Sequence, residues 1–258
     1  HLCPNRSLLG MNKPYERQGA FAELITVPKT NIYDVPNKLD IKEAAVAEPT
    51  AVAYHAVEIA KKALKLQRRN SGLMKTKKAY VKYEPLGVAG VISPWNYPLA
   101  TPLVASVEAL LAGNNVILKP SEHTPLTSLL LKDIWDKYIG YENAFQILIG
   151  GANVGENIVR NNDIDIVCFT GSTSVGKIIA KQCAETLKPC ILELGGKDPA
   201  YVRSDCNLDH AIENLVDGSY FNSGQSCCGI ERIYVDEKVY DKFIDGFKSV
   251  TENYILGN

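Results

Sequence analysis

Two adjacent cysteines, Cys227 and Cys228, stand in a segment of small residues, Gly224-Gln-Ser-Cys-Cys-Gly229. Small neighbours leave a thiol open to a substrate, and an accessible thiol beside oriented backbone dipoles can act as a nucleophile. The alternative is a packed pair of small side chains, and the motif alone favours neither interpretation. The segment indicates a candidate for covalent catalysis that needs further groups to complete it.

Two other side chains could supply those groups. Glu193 ends an apolar stretch in Leu192-Glu-Leu-Gly-Gly-Lys197, where a carboxylate could act as a general base. Asn96, in Pro94-Trp-Asn-Tyr-Pro98, could donate its amide to an oxyanion. Each has a structural alternative: Glu193 could pair with Lys197, and Asn96 could cap the following helix, which is the commoner role.

A glycine-rich segment, Gly171-Ser-Thr-Ser-Val-Gly176-Lys177, follows an apolar stretch and opens a predicted helix. It is nearly a P-loop, but Ile178 stands where a hydroxyl would hold Mg²⁺, which disfavours an NTPase. Free N–H groups at the helix start, together with Ser172, still suit a phosphate, including the pyrophosphate of a dinucleotide. A glycine turn followed by a serine N-cap is an equally good interpretation of the motif alone.

A lysine and a glutamate stand together in Lys119-Pro-Ser-Glu122, at the end of another apolar stretch. This pair of charges fits a ribose and its nearby phosphate. A salt bridge on a loop is the alternative.

Strands and helices alternate from about residue 84, which predicts an α/β fold with a Rossmann-like, mostly parallel sheet and helices on both faces. The predicted strands are 87–92, 115–119, 144–149, 164–169 and 190–194. Helices are predicted over 97–111, over 124–140 with Thr124 as N-cap and Pro125 at the first position, after Gly171, over 208–221 and from about Asp236. The candidate residues up to Glu193 lie at the ends of these strands, and ligands bind at the carboxyl ends of parallel strands.

Residues before this region do not show the same alternation of strands and helices. We predict two short strands, 20–27 and 31–35, and a helix from Ile41 to about Leu66 that Pro49 could interrupt. Residues 61–78 are strongly basic. We favour a solvated connector over a nucleic-acid surface, because this stretch contains no aromatic residue that could stack on a base, and the next one is Tyr80.

Composition excludes several classes of protein. The chain has 258 residues, 28 Lys+Arg against 29 Asp+Glu, and a formal net charge of -1, so nothing draws it to nucleic acid or to an anionic membrane. No apolar run approaches the roughly 18 residues of a membrane span. The seven cysteines form no framework and no zinc motif, so we expect reduced thiols, no bound metal and a cytoplasmic location.

Five motifs in order resemble those of the NAD(P)-dependent aldehyde dehydrogenases, from about residue 62 to residue 258. They are Pro94-Trp-Asn-Tyr-Pro98, Leu118-Lys-Pro-Ser-Glu122, Phe169-Thr-Gly-Ser-Thr173, Leu192-Glu-Leu-Gly-Gly-Lys197 and Gly224-Gln-Ser-Cys-Cys228. The resemblance implies that Cys227 is the nucleophile, Glu193 the base that activates the deacylating water, and Asn96 the oxyanion donor.

The same resemblance implies a cofactor site. Lys119 and Glu122 would hold the adenosine ribose, and Gly171 and Ser172 the pyrophosphate. The full set of implied cofactor residues is Ile92, Ser93, Trp95, Lys119, Ser121, Glu122, Gly151, Gly155, Phe169, Gly171, Ser172, Val175 and Leu194. The cofactor is expected to be NAD, with NADP as the alternative, because a carboxylate on the ribose hydroxyls disfavours a 2′-phosphate. The substrate would be a small aldehyde, oxidised to a carboxylic acid through a cysteine thioester.

The beginning of the chain resembles a different family. Gly19-Ala-Phe-Ala-Glu-Leu-Ile-Thr-Val-Pro28, Tyr33-Asp-Val-Pro36 and Ala47-Glu-Pro-Thr-Ala-Val-Ala-Tyr-His-Ala56 are similar to zinc-dependent medium-chain alcohol dehydrogenases. That resemblance implies that Cys3 is one structural-zinc cysteine and that Glu48 lies at the catalytic zinc. One thiolate and one carboxylate cannot complete a four-coordinate site, so we expect a zinc-free, β-rich remnant.

The expected domains are therefore an alcohol-dehydrogenase-like part (1–61), a cofactor-binding core (62–195) and an incomplete beginning of a catalytic domain (196–258). The family's later segments, including its oligomerisation strands, are expected to be missing, although intact relatives would be homo-oligomers. A non-catalytic module that binds a dinucleotide or an NTP, and a remnant of a zinc alcohol dehydrogenase, remain the alternatives to an aldehyde oxidoreductase.

Overall fold

The computed structural model describes residues 47–72 and 76–254. They fall into two compact units, one ending at Leu194 and the other beginning at Gly195. The two strands predicted before residue 36, and Cys3, lie outside the described residues. Within those residues, no helix is both long and apolar enough to cross a membrane.

The first unit alternates helices and strands. In chain order they are α1 (Ala47–Ala63), β1 (Gln67–Arg69), β2 (Ala79–Val81), β3 (Val88–Ile92), α2 (Ala100–Leu111), β4 (Asn115–Lys119), α3 (Pro125–Tyr138), β5 (Phe145–Ile147), α4 (Ala152–Arg160), β6 (Ile166–Thr170), α5 (Thr173–Glu185) and β7 (Cys190–Glu193). The predicted α/β fold is confirmed, since β3 to β7 form one parallel sheet in the order β5-β4-β3-β6-β7.

Helices cover both faces of this sheet because its central strands alternate between two apolar faces. Ala89 and Val91 of β3 pack with residues of α2 and α3 on one face. Val88 and Ile92 point to the other face, where Ile158 of α4 and residues of α5 complete the core. A strand buried on both sides is apolar throughout, which is why these runs could be recognised in the sequence.

One detail of the predicted helices is wrong. Pro49 does not interrupt α1, because it lies in the first turn, where its missing N–H has no intrahelical acceptor. The prediction at the start of α3 is confirmed: Thr124 is the N-cap and Pro125 takes the first helical position, although the Thr124 hydroxyl makes no capping hydrogen bond. That hydroxyl is buried and has no partner among the described residues.

The basic stretch contains a small antiparallel ribbon that was not predicted. Arg68 of β1 pairs with Tyr80 of β2, and both side chains are exposed. Because both strands carry exposed polar or charged residues, they lack the apolar alternation that marks a half-buried strand.

The second unit contains β8 (Asp198–Val202), α6 (Leu208–Tyr220), a 3₁₀ turn (Phe221–Gly224), β9 (Ile230–Val235), a second 3₁₀ turn (Glu237–Val239) and α7 (Tyr240–Glu252). Strands β8 and β9 pair in parallel. A cluster of buried side chains holds the two helices against the strands: Val202, Ile212, Val216 and Phe243. The helices predicted from residue 208 and near residue 236 are both present.

Candidate active site

The carboxyl ends of β3, β4 and β6 meet at one edge of the parallel sheet, where Ile92 pairs in register with Lys119 and with Phe169. A cavity of about 550 Å³ opens at this edge. Most of the residues predicted to bind a cofactor line it. They are Ile92, Ser93, Trp95, Lys119, Ser121, Glu122, Gly155, Phe169, Gly171, Ser172 and Val175.

A buried ammonium lies at the end of β4. Lys119 is only 5% exposed, and its Nζ donates to the backbone oxygen of Pro120 at 2.9 Å and lies 3.4 Å from Oε2 of Glu122. A hydrogen bond from its own backbone N–H lowers the pKa of Glu122, partial desolvation opposes this, and the Lys119 charge lowers it further. The cavity therefore presents a carboxylate acceptor beside an ammonium donor, which suits vicinal hydroxyl groups.

The N-terminus of α5 forms another part of the cavity wall. Ser172 is the N-cap, and its Oγ accepts a hydrogen bond from the backbone N–H of Val175 at 3.3 Å. The other N–H groups of a first helical turn have no intrahelical acceptor, so they can bind an anion. Gly171 must lack a side chain, because a Cβ there would lie 2.5 Å from Cζ of Phe169. The N-cap interpretation of this motif and the ligand-binding one are compatible, because Ser172 caps the helix and the start of the helix faces a cavity.

One buried polar atom in this cavity has no partner among the described residues. Ser93 is 6% exposed, and its Oγ makes no hydrogen bond, although its backbone N–H donates to the oxygen of Lys119 at 3.1 Å. Buried hydroxyls are normally satisfied, so an unpaired one beside a cavity indicates a position for a bound polar group.

Two predicted cofactor residues lie elsewhere. Gly151 is the N-cap of α4, and Leu194 packs over Gly176 at the start of α5. Neither lines the cavity. Sequence inspection missed Glu156 and Gln182, which do line it, because they lie on helix faces with no motif of their own.

Glu193 lines a second, larger cavity of about 780 Å³, on the face of the sheet that α2 covers. Thr101 and Val104 of α2 belong to the same wall. Asn96 lies in the loop between β3 and α2 and lines neither cavity. It is not the helix cap, because Leu99 holds that position.

The two adjacent cysteines belong to the second unit. Cys227 and Cys228 are both exposed, in the turn between the first 3₁₀ segment and β9, and Sγ of Cys228 lies 3.2 Å from Oγ of Ser226. Just before them, Asn222 and Ser223 have φ values of 52° and 57°. Backbone in this sparsely populated region is found disproportionately at functional sites.

Gly196 packs directly against the backbone of Cys227. A Cβ at Gly196 would lie 2.6 Å from the backbone oxygen of Cys227, so only glycine fits there. Lys197, the predicted alternative partner of Glu193, forms an ion pair with Glu231.

Two other thiols, Cys183 and Cys168, have raised pKa values because they are wholly or partly buried. Burial raises the pKa of Cys183 to about 11, with the nearby Cys190 thiol adding to the shift. Burial also raises the pKa of Cys168, and the carboxylate of Glu108 adds to it. Such thiols stay protonated at neutral pH and are poor nucleophiles, which leaves exposed cysteines as candidates for covalent chemistry.

Metal-binding chemistry has little support in this part of the chain. Across residues 47–72 and 76–254, no group of three or more His, Cys, Asp and Glu side chains could hold an ion. The absence of a bound metal nevertheless stays a prediction.

Comparison with known proteins defines the class. Residues 33–258 match the sequence model of the Aldehyde dehydrogenase family, and the chain belongs to this family. The match begins at residue 33, which is earlier than residue 62, where the resemblance to this family was expected to begin. The resemblance of residues 1–60 to alcohol dehydrogenases remains a prediction.

Individual relatives agree with that assignment. The chain is 41% identical to human aldehyde dehydrogenase 1A1 over 181 residues, which is 69% of this chain and 36% of the relative. It is 44% identical to the mitochondrial aldehyde dehydrogenase of Leishmania tarentolae over 180 residues, again covering 69% of this chain and 36% of the relative. The chain therefore spans little more than a third of the length of these relatives.

Solved structures also match. An NAD⁺ complex of an aldehyde dehydrogenase from Bacillus cereus has a TM-score of 0.75 and 35% identity, covering 80% of this chain and 42% of that one. The putative aldehyde dehydrogenase PutA from Anabaena variabilis has a TM-score of 0.77 and 33% identity, covering 84% and 46%.

Proposed function

We propose that this chain carries the cofactor-binding core and the nucleophile of an NAD(P)-dependent aldehyde dehydrogenase, which oxidises a small aldehyde to a carboxylic acid. The single observation that carries the proposal is the cavity at the carboxyl ends of β3, β4 and β6. Residues from several sequence motifs, spread over positions 92–175, all line this one cavity.

The residues present fit a dinucleotide. The carboxylate of Glu122 would accept from the hydroxyls of the adenosine ribose, and the buried Lys119 ammonium would donate to them. The start of α5, capped by Ser172, would hold the pyrophosphate through its free N–H groups. The unpaired Oγ of Ser93 supports a polar ligand in this space. When bound, NAD supplies the acceptor for the hydride that leaves the substrate.

We propose NAD rather than NADP as the preferred cofactor. A carboxylate that accepts from ribose hydroxyls would repel the 2′-phosphate of NADP. The pKa of Glu122 is lowered, so this carboxyl is ionised at neutral pH and the repulsion is present there.

The proposed chemistry of the protein's own groups has three parts. The thiolate of Cys227 adds to the aldehyde carbonyl, and the amide of Asn96 and the backbone N–H of Cys227 donate to the resulting oxyanion. After oxidation the acyl group is held as a thioester on Sγ of Cys227. Glu193 then accepts a proton from a water molecule, which attacks the thioester and releases the acid.

Substitution of the two cysteines tests this proposal. Residues 62–258 would be grafted into a complete aldehyde dehydrogenase, because the chain alone spans 36% of its relatives' length and we expect little turnover from it. Cys227→Ala should lower the rate by several powers of ten, since the covalent route is lost. The matched control, Cys228→Ala, should keep most of the activity.

The opposite pattern would reassign the nucleophile to Cys228, and activity in both variants would remove the covalent mechanism.

A second candidate function is a binding module without catalysis, which the near-P-loop at Gly171–Lys177 favours. Binding of NAD by the chain with no aldehyde oxidation in the graft would establish that alternative.

We further propose the domain limits 1–61, 62–195 and 196–258. The division between compact units at Leu194 and Gly195 supports the second limit. A cytoplasmic location, assembly of intact relatives into homo-oligomers, and the alcohol-dehydrogenase-like origin of residues 1–61 also remain proposals.

A further inference from the structure

The cofactor cavity continues between helices α4 and α5, away from the strand ends. Its walls there are formed by Gly155 and Val159 of α4 and by Val175 and Ile178 of α5. These side chains are apolar or absent, so the space between the helices suits a flat aromatic ring. In the proposed function, Lys119 and Glu122 bind the ribose and the start of α5 binds the pyrophosphate, which leaves this space for the purine base.

A carboxylate stands at the rim of that space. Oε1 of Glu156 accepts hydrogen bonds from Nε of Arg160 at 3.0 Å and from Nε2 of Gln182 at 3.3 Å. Glu156 and Gln182 both line the cavity, so the carboxylate is held by one bond within its own helix and by another from the facing helix. The Glu156 side chain is 54% exposed, so its position at the rim leaves room for a ligand to approach.

The bonds from Arg160 and Gln182 both end on Oε1, so Oε2 keeps its capacity to accept. An ionised carboxylate is an acceptor only. It can receive the N–H of a 6-amino group on a purine, whereas it would face the carbonyl oxygen of a 6-oxopurine with repulsion. The chemistry of this rim therefore distinguishes two classes of base.

We infer that Glu156 accepts a hydrogen bond from the exocyclic amino group of the cofactor's purine, so that the site selects a 6-aminopurine dinucleotide over a 6-oxopurine dinucleotide. This inference rests on the proposed function. Arg160 acts as a positioning residue, because it holds the carboxylate in place and does not line the cavity.

Calorimetric titration of the 258-residue chain tests the inference without requiring turnover. The two ligands are NAD and nicotinamide hypoxanthine dinucleotide, which differ at the 6-position of the purine. We expect NAD to bind about tenfold more tightly, the usual size of a charge-assisted hydrogen bond at a partly exposed position. Glu156→Ala should reduce the difference to less than about twofold.

Two further variants make the result specific. Glu156→Gln can turn its amide to donate to a 6-oxo group, so it should bind both dinucleotides about equally, with a gain for the hypoxanthine ligand. Glu185→Gln is the matched control, because Glu185 also pairs with Arg160, at 3.2 Å, but does not line the cavity. It should keep the tenfold preference. Circular dichroism of each variant would verify the fold.

Equal binding of the two dinucleotides by the unsubstituted chain would overturn the inference, and so would a preference that survives in Glu156→Ala. Either result would leave the proposed function standing, since NAD would still bind. If neither dinucleotide binds, the proposed function itself fails and this inference fails with it.

Discussion

Asn114 ties together the starts of β3 and β4, two of the three strands whose carboxyl ends form the cofactor cavity. Its side chain is buried, and Oδ1 accepts from the backbone N–H of Leu86 at 2.7 Å and of Gly87 at 3.0 Å. Its Nδ2 donates to the oxygen of Ala109 at 3.0 Å. The amide thus joins the residues before β3 to the end of α2, immediately before β4.

Replacement by alanine, Asn114→Ala, removes three hydrogen bonds at once. A typical hydrogen bond contributes about 1 kcal/mol net, and an unpaired buried group costs about 1 to 3 kcal/mol. Because Leu86 is largely exposed, water can replace its partner, so we expect a loss of about 2 kcal/mol in the free energy of unfolding.

Urea denaturation followed by circular dichroism measures the effect. The midpoint should fall while the dependence on urea concentration stays unchanged, because the folded structure is the same. The control is Asn157→Ala, whose side chain is exposed on α4 and which should change the free energy by less than about 0.5 kcal/mol. Equal stability of Asn114→Ala and Asn157→Ala would refute the reasoning.

Two other predictions follow from the same structure. Ser172→Ala removes the N-cap of α5 and should cost about 1 kcal/mol in urea denaturation. Ser172→Asp should keep the stability but lower NAD affinity in calorimetry, because its charge opposes a phosphate; equal affinity would contradict a pyrophosphate at this helix start. The thiol of Cys183 has a pKa of about 11 in the folded chain against 9.0 for a free thiol, so the unfolded state loses its proton first. This thiol should therefore lower the free energy of unfolding by about 2 kcal/mol between pH 9 and pH 11. Cys183→Ala should remove that contribution and make the fall smaller, while the Cys168 thiol, whose pKa burial also raises, keeps its own contribution.

The parallel sheet was predictable because its strands are apolar on both sides and end in glycine, proline or polar motifs. β8 was not predicted, because it contains Pro199, a residue that is unfavourable in strands. Hydrogen-bond partners that are far apart in the sequence were equally hidden: Oδ2 of Asp165 accepts from the N–H of Val88 at 2.7 Å, across 77 positions of sequence. Only the folded chain brings such groups together.

The candidate site, like the fold, could be predicted from the sequence only in part. Residues at strand ends could be grouped from the sequence, since the carboxyl ends of parallel strands share one edge. Glu156 and Gln182 could not, because the helix face that lines the cavity depends on how α4 packs against α5. The Asn96 cap was also wrong, since the loop after β3 continues to Leu99 before the helix begins.

The central claim is that the cavity at the ends of β3, β4 and β6 holds a nicotinamide dinucleotide. A crystal structure of the 258-residue chain with NAD tests it most directly. The account predicts that the adenosine ribose contacts Lys119 and Glu122, with the pyrophosphate at the start of α5. A dinucleotide bound instead in the larger cavity lined by Glu193, or a chain with no NAD bound at millimolar concentration, would contradict it.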